Sequence, residues 1–290
     1  MFSGSMTALI TPFSNGKIDA QALERLVELQ VENGTSALVP CGSTGESATL
    51  TPDEHVEVVR LVIKAAKGRL PVIAGTGSNS TAEALHLTRE AKRAGADAAL
   101  LISPYYNKPT QEGIYRHYRT IAEQSGLPLI VYNIPGRTAS KIEAATIARL
   151  AELDGIVGLK EATGLLDEVQ EVVRLAGEKI EVYSGDDSLT LPIMIAGGVG
   201  VISVIANVLP RQSADMVDAC RRGDWAKARE LHYKLFPLMR ALFLESNPIP
   251  VKAAMSMMGY CKDELRLPLL PMTDSPRAKL REAMKQFDLL

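Results

Sequence analysis

The sequence predicts an α/β fold: a (β/α)8 (TIM) barrel with a C-terminal all-helical extension. Three observations carry this. Eight short apolar runs alternate with amphipathic stretches between residues 7 and 204. The runs carry charge only at Lys160 and Glu181, as befits parallel strands buried on both faces. Past about residue 225 the runs stop and only helical periodicity remains. An open doubly wound sheet is the alternative for such an alternation; eight βα units favour the closed barrel.

The strands are expected at 7–10, 37–40, 71–74, 98–102, 128–132, 155–160, 180–183 and 199–204. Helices are expected at 20–32, 52–67, 80–94, 111–124, 143–152 and 165–176. The first places Leu23, Leu26, Val27 and Val31 on one face. Thr51 before Pro52 and Thr110 before Gln111 read as helix caps. Residues 188–210 carry no charge, long enough to suggest a membrane span. Pro192, the Gly197-Gly198 pair and Gly200 divide that stretch into a helix (about 187–196), a turn and a strand. The extension reads as helices at 224–244, 250–258 and 275–287. The expected division is a barrel over 1–224 and an extension over 225–290, packed together without a Gly/Ser-rich linker.

Composition narrows the function classes. The 290 residues are 46% apolar and 23% charged, ordinary for a soluble globular chain. A net charge of −2 without a basic stripe gives no footprint for nucleic acid. Cys41, Cys220 and Cys261, with four scattered histidines, form no disulfide framework and no metal-ligand cluster. The first six residues lack a basic region followed by an apolar segment, so a cytoplasmic chain is expected.

The chemistry is expected at the carboxyl ends of the strands. Lys160 ends the sixth, after Gly155-Ile156-Val157-Gly158-Leu159. Burying an unpaired ammonium is costly, and burial lowers its pKa. A neutral amine attacks carbonyls, so Lys160 suggests a Schiff-base enzyme. To bring such an amine from ~10.4 to ~7, the site must disfavour the ammonium by about 4–5 kcal/mol. On the segment alone, Lys160 also reads as a solvated strand end; its place in the barrel favours chemistry. Strand alternation turns it to the face of Gly158 and Ile156, and turns Glu161 away. Tyr132 ends the neighbouring strand, about 4.8 Å away, where a phenol can move the protons that imine formation requires.

Other loops supply binding groups. Cys41-Gly42-Ser43-Thr44-Gly45-Glu46-Ser47 follows the second strand and suits a carboxylate or phosphate, but lacks a P-loop ending. Arg137, in Pro135-Gly136-Arg137-Thr138, suits a bidentate carboxylate clamp. Tyr105 and Tyr106 fit a site wall or an oligomer interface. Asp186-Asp187 reads as a cap for the next helix, and Gly75-Thr76-Gly77 as a simple βα turn.

Together, Gly42-Ser43-Thr44-Gly45-Glu46, Tyr105-Tyr106-Asn107, Tyr132 to Thr138, Gly158-Leu159-Lys160-Glu161-Ala162 and Asn247 to Lys252 resemble the dihydrodipicolinate synthase family over nearly the whole chain. The resemblance implies a lyase that joins pyruvate to L-aspartate 4-semialdehyde on the diaminopimelate route to lysine, with no metal or organic cofactor. It implies Lys160 as the Schiff base, Tyr132 as proton donor and acceptor, and Ser43 and Tyr106 as a proton relay, with Tyr106 from a neighbouring subunit. Thr44 and the Ile202 main chain would bind pyruvate, Arg137 the semialdehyde carboxylate, and Gly185 would join them as a substrate-binding residue. A homotetramer is implied, as is a feedback site for L-lysine at Ser47, Ala48, His55, Asn79, Glu83 and Tyr105. The chain departs from many members in having Ser43 for threonine, which keeps the hydroxyl but frees χ1. Pro52 stands where some lysine-sensitive members have histidine. The wider superfamily leaves N-acetylneuraminate lyase and keto-sugar-acid aldolases as alternatives. A non-catalytic metabolite-binding barrel and a phosphate-binding isomerase are the alternatives of other classes.

Overall fold

The computed structural model describes residues 2–290. Eight strands form one sheet: β1 (Gly4–Ala8), β2 (Ala37–Val39), β3 (Ile73–Gly75), β4 (Ala98–Ile102), β5 (Leu129–Asn133), β6 (Ile156–Glu161), β7 (Glu181–Ser184) and β8 (Gly200–Ser203). The order is β2-β1-β8-β7-β6-β5-β4-β3, and all these pairings are parallel. A parallel bridge from Leu38 to Val72 closes the remaining seam, with Leu38 N–H donating to Pro71 O at 2.9 Å. Pro71 has no N–H to extend that ladder, which keeps the seam short. The edges of an open doubly wound sheet would not meet, so the barrel is the fold.

The period of two sorts side chains into two layers. Met6, Val39, Leu100, Ile130 and Ile202 fill the barrel interior. Val131, Leu159, Val182 and Val201 face outward to the helices. These are α1 (Ala20–Glu32), α2 (Pro52–Ala66), α3 (Thr81–Ala94), α4 (Gln111–Ser125), α5 (Ala144–Leu150), α6 (Leu166–Ala176), α7 (Thr190–Ile195) and α8 (Pro210–Arg221). Thr51 and Glu54 form a reciprocal capping box at α2, and the Thr110 hydroxyl accepts from Gly113 N–H at α4.

Two expectations are corrected and two elements added. The first strand starts at Gly4 rather than residue 7, because Ser5 is buried through a hydrogen bond to Ser213. A hairpin of Phe13–Ser14 and Lys17–Ile18 turns at Asn15-Gly16, both at positive φ. Helix α8 was absent from the sequence reading, although Pro210 at its first turn and buried Ala214, Val217 and Cys220 are helical signals. Lys160 shares the inner face with Gly158 but not Ile156: a register shift beside Leu129 and Ile130 turns Ile156 to the outer layer.

The extension comprises α9 (Trp225–Ala241), α10 (Ile249–Met257) and α11 (Asp274–Lys285). Helix α9 packs on α8 and α11, and α10 on α11 and the turn Ile205–Asn207. A buried ion pair fastens it further. Lys252 of α10 pairs with Glu46 of the loop after β2, and neither side chain has exposed surface. Lys252 Nζ also donates to Glu264 O at 2.9 Å, while Glu46 accepts from Arg266 N–H at 3.2 Å. Charges this deep need such partners on every side.

Candidate active site

Lys160 and Tyr132 stand opposite each other in the β6–β5 register, and Tyr183 of β7 is the partner of Lys160 on its other side. Lys160 Nζ lies 4.4 Å from the centroid of the Tyr132 ring. The lysine is 5% exposed. Burial lowers its pKa to about 8; the Asp187 carboxylate pulls it back upward, and the Arg137 guanidinium pushes it down. Burial drives the Tyr132 phenol well above its ordinary value, Arg137 opposing and Asp186 adding. The phenol therefore holds its proton at neutral pH while the amine is poised to lose one. Glu161 turns away as alternation requires, accepting from Asn133 Nδ2 at 3.3 Å and Thr163 N–H at 2.6 Å.

Gly185 N–H donates to Glu161 O at 2.7 Å, and a Cβ there would stand 3.1 Å from Lys160 Cε. The missing side chain leaves room beside the reactive stem. Ile202 lies fully buried in the barrel interior, in register with Met6. The aspartates divide their work. Asp186 accepts from Ser188 N–H at 2.9 Å as the expected cap. Asp187 does not cap that turn; its Oδ2 accepts from Val204 N–H at 2.9 Å and Ile205 N–H at 2.8 Å, tying β7 to the end of β8.

The loop after β2 is a chain of tight turns, with Gly45 N–H donating to Gly42 O at 3.0 Å and Glu46 N–H to Ser43 O at 3.2 Å. Cys41 and Glu46 hold left-handed backbone at φ 57° and 54°, which is uncommon for residues with a side chain. Gly75 lets β3 pass beneath it: a Cβ there would lie 2.3 Å from Cys41 O, so the segment read as a simple turn is a close crossing. Thr44 is buried, and its Oγ1 accepts from Asn247 Nδ2 at 3.0 Å. Arg137 sits on a single helical turn, Pro135–Thr138, and its Nη2 donates to Asn247 O at 2.8 Å.

A cavity of about 440 Å³ joins these parts. Ser43, Tyr132 and Arg137 line it together with Ser47, Ala48, His55, Glu83 and Tyr105, and Asn247 and Leu269 of the extension complete its wall. Lys160, Thr44, Ile202, Gly185, Asn79 and Tyr106 are not among its lining residues. Lys160 reaches this region through its contact with Tyr132, and Thr44 through Asn247. Tyr106 is 88% exposed and does not enter the cavity of its own chain. Asn79 contributes a carbonyl that accepts from Asn107 Nδ2 at 2.9 Å. His55 Nε2 donates to Gly75 O at 2.7 Å, and Glu83 accepts from the Ser78 hydroxyl. Burial lowers the His55 pKa, with the Gly75 hydrogen bond and the Glu83 charge opposing.

Sequence reasoning missed the parts that Asn247, Asp187 and Lys252 play. Their partners lie far away in sequence, and only buried polar residues in apolar surroundings hinted at them. Among the described residues, no group of three or more metal-ligating side chains gathers, and no helix is long and apolar enough to cross a membrane.

Fold and site define a class: a (β/α)8-barrel enzyme centred on a buried amine. More narrowly, the chain belongs to the dihydrodipicolinate synthetase family, whose model matches residues 1–287. The 4-hydroxy-tetrahydrodipicolinate synthase of Pelobacter propionicus is 53% identical over 290 residues, all of both chains. The crystal structure of dihydrodipicolinate synthase from Aquifex aeolicus is 51% identical, with a TM-score of 0.98 over 99% of each chain. A chloride-inhibited dihydrodipicolinate synthase from Acinetobacter baumannii, complexed with pyruvate, is 45% identical with a TM-score of 0.98 over 100% of each chain. The enzyme of Cyanidioschyzon merolae with lysine bound is 42% identical, with a TM-score of 0.97 over 100% of this chain and 99% of that one.

Proposed function

We propose that this chain condenses pyruvate with L-aspartate 4-semialdehyde to 4-hydroxytetrahydrodipicolinate, through an imine on Lys160. One observation carries the reading: a buried amine rests against a tyrosine ring that lines the same cavity as an arginine. At pH 7 a pKa of about 8 leaves roughly one amine in ten neutral, some 300-fold more than an unperturbed lysine would. That amine adds to the pyruvate ketone, and Tyr132 supplies and takes back the protons as water leaves. Loss of a methyl proton gives the enamine, whose carbon attacks the aldehyde; the semialdehyde's own amine then attacks the imine carbon, closing the ring and releasing Lys160. Thr44, the Ile202 main chain and Gly185 hold the keto acid. Arg137 takes the carboxylate of the aldehyde. Full-length relatives at 53–54% identity named 4-hydroxy-tetrahydrodipicolinate synthase favour this reading over N-acetylneuraminate lyase or a keto-sugar-acid aldolase.

Ser43 and Tyr106 complete the proton relay in this reading, Tyr106 crossing from a second copy of the chain in a homotetramer. Its exposure is consistent with such a crossing. Ser47, Ala48, His55, Asn79, Glu83 and Tyr105 form the candidate L-lysine site, with the Glu83 carboxylate facing the ligand's ammonium. The reaction needs no cofactor, and a cytoplasmic location fits a chain with this role. Residues 1–224 serve as the catalytic barrel and 225–290 as its appendage, a division supported by the purely helical character of the chain after Arg221. Borohydride added with pyruvate is expected to attach pyruvate at Lys160, and Lys160→Ala to abolish the adduct. Turnover with N-acetylneuraminate but not with aspartate semialdehyde would overturn the assignment.

A further inference from the structure

We infer that Asn247 of the extension is a positioning residue serving both halves of the site, its side chain acting on Thr44 and its main chain on Arg137. The inference rests on the roles of those two residues proposed above. Asn247 is 6% exposed, lines the cavity and lies 203 positions from Thr44. Its Nδ2 donates to Thr44 Oγ1 at 3.0 Å, and its carbonyl accepts from Arg137 Nη2 at 2.8 Å.

The direction of the first bond matters. A threonine hydroxyl has one proton. A carboxylate accepts only, so Thr44 must donate that proton to bind one. It can do so while an amide N–H occupies its lone pair. Asn247 therefore engages Thr44 as an acceptor on one side and leaves its proton free to be donated to a ligand. The carbonyl bond meanwhile uses one of the five guanidinium N–H groups and leaves the others for a ligand.

A second observation separates this role from simple structural support. Asn247 Oδ1 is buried without a hydrogen-bond partner. Among the described residues no protein group competes for the amide's acceptor, so within the chain this side chain is tied to Thr44 alone. Its placement makes sense through Thr44.

Steady-state kinetics of the full-length enzyme test this, varying pyruvate and aspartate semialdehyde separately. Asn247→Ala removes the amide and keeps the carbonyl. The KM for pyruvate is expected to rise about tenfold, the lower end for a hydrogen bond to a charged group. The KM for the aldehyde should stay within about twofold. Asn247→Asp loses the donor while nearly preserving size, so it should not restore the pyruvate KM; Asn247→Gln, which retains an N–H, should recover part of it. In a Thr44→Val background, Asn247→Ala should add little, because both act through one hydroxyl. An unchanged pyruvate KM, equal losses for both substrates, or additive effects in the Thr44→Val background would overturn the inference. If Asn247→Ala does not fold, Asn247→Asp decides by the same split. Absence of any pyruvate adduct on the wild-type chain would instead sink the underlying reading of Lys160.

Discussion

Replacing Lys160 by methionine should make this protein more stable while removing its imine chemistry. The magnitude follows from burial. The amine falls from an ordinary 10.5 to about 8 in the folded chain. At about 1.4 kcal/mol per pH unit, the folded state disfavours the charged lysine by roughly 3 kcal/mol. The pH dependence has a definite sign. Below pH 8 both states hold the proton, and the folded state carries the full penalty. Between 8 and 10.5 the unfolded chain binds more protons, so wild-type stability from this group rises with pH; above 10.5 the penalty is gone. Methionine fills nearly the same stem without a charge. For a chain of 290 residues the unfolding entropy is about 0.6 kcal/mol/K, so 3 kcal/mol corresponds to about 5 °C. Thermal melts at matched protein concentration should therefore place the variant about 5 °C above wild type at pH 7, with the gap closing between pH 8 and 10.5. Matched concentration matters because self-association raises both melting points. Other titrating groups cancel in the difference between the two proteins. A variant that melts at or below wild type at pH 7, or a gap indifferent to pH, would refute the claim that burying the Lys160 ammonium costs more than the Asp187 carboxylate returns.

Two further outcomes follow. Tyr132→Phe removes the proton-bearing hydroxyl but keeps the ring against Lys160, so kcat should drop by about 10²–10⁴ with the melting temperature little changed, measured by steady-state turnover and calorimetry. Lys252→Met strands the buried Glu46 carboxylate and should cost about 3–5 kcal/mol in denaturant unfolding, while Lys252→Met with Glu46→Gln should recover a substantial part.

What the sequence revealed depended on whether the interaction was local or periodic. Lys160 and Tyr132 could be paired in advance because each ends an apolar run and consecutive barrel strands are neighbours. Helix α1 matched its expected bounds because its apolar residues keep one face and Asp19 caps it. The start of β1 was hidden because Ser5 is a polar residue made buriable by a partner 208 positions away. The bulge that turns Ile156 outward leaves no compositional trace. Glu46 was recognised within a motif, but its partner Lys252 lies 206 positions on, with no pattern joining them. Asp187 was misread for a related reason: beside Asp186 it looked like a cap, whereas its backbone partners belong to the next strand end.

The same residues explain why the extension is part of the candidate site rather than merely adjoining it. The loop carrying Ser43 and Thr44 bends through two left-handed residues, Cys41 and Glu46, and buries a carboxylate. Neither feature is favourable alone, since positive φ strains a residue with a Cβ and a buried charge needs a counter-charge. Within the barrel, Gly75 gives the loop room but supplies no charge. The cation comes from Lys252 and a further N–H from Arg266, both beyond the last strand. Asn247, five residues before Lys252, then reaches the hydroxyl of Thr44 and the guanidinium of Arg137. One anchored segment thus sets the loop, the expected keto-acid ligand and the expected carboxylate clamp together. The barrel supplies the buried amine, and the segment after its last strand supplies the groups that hold Glu46, Thr44 and Arg137.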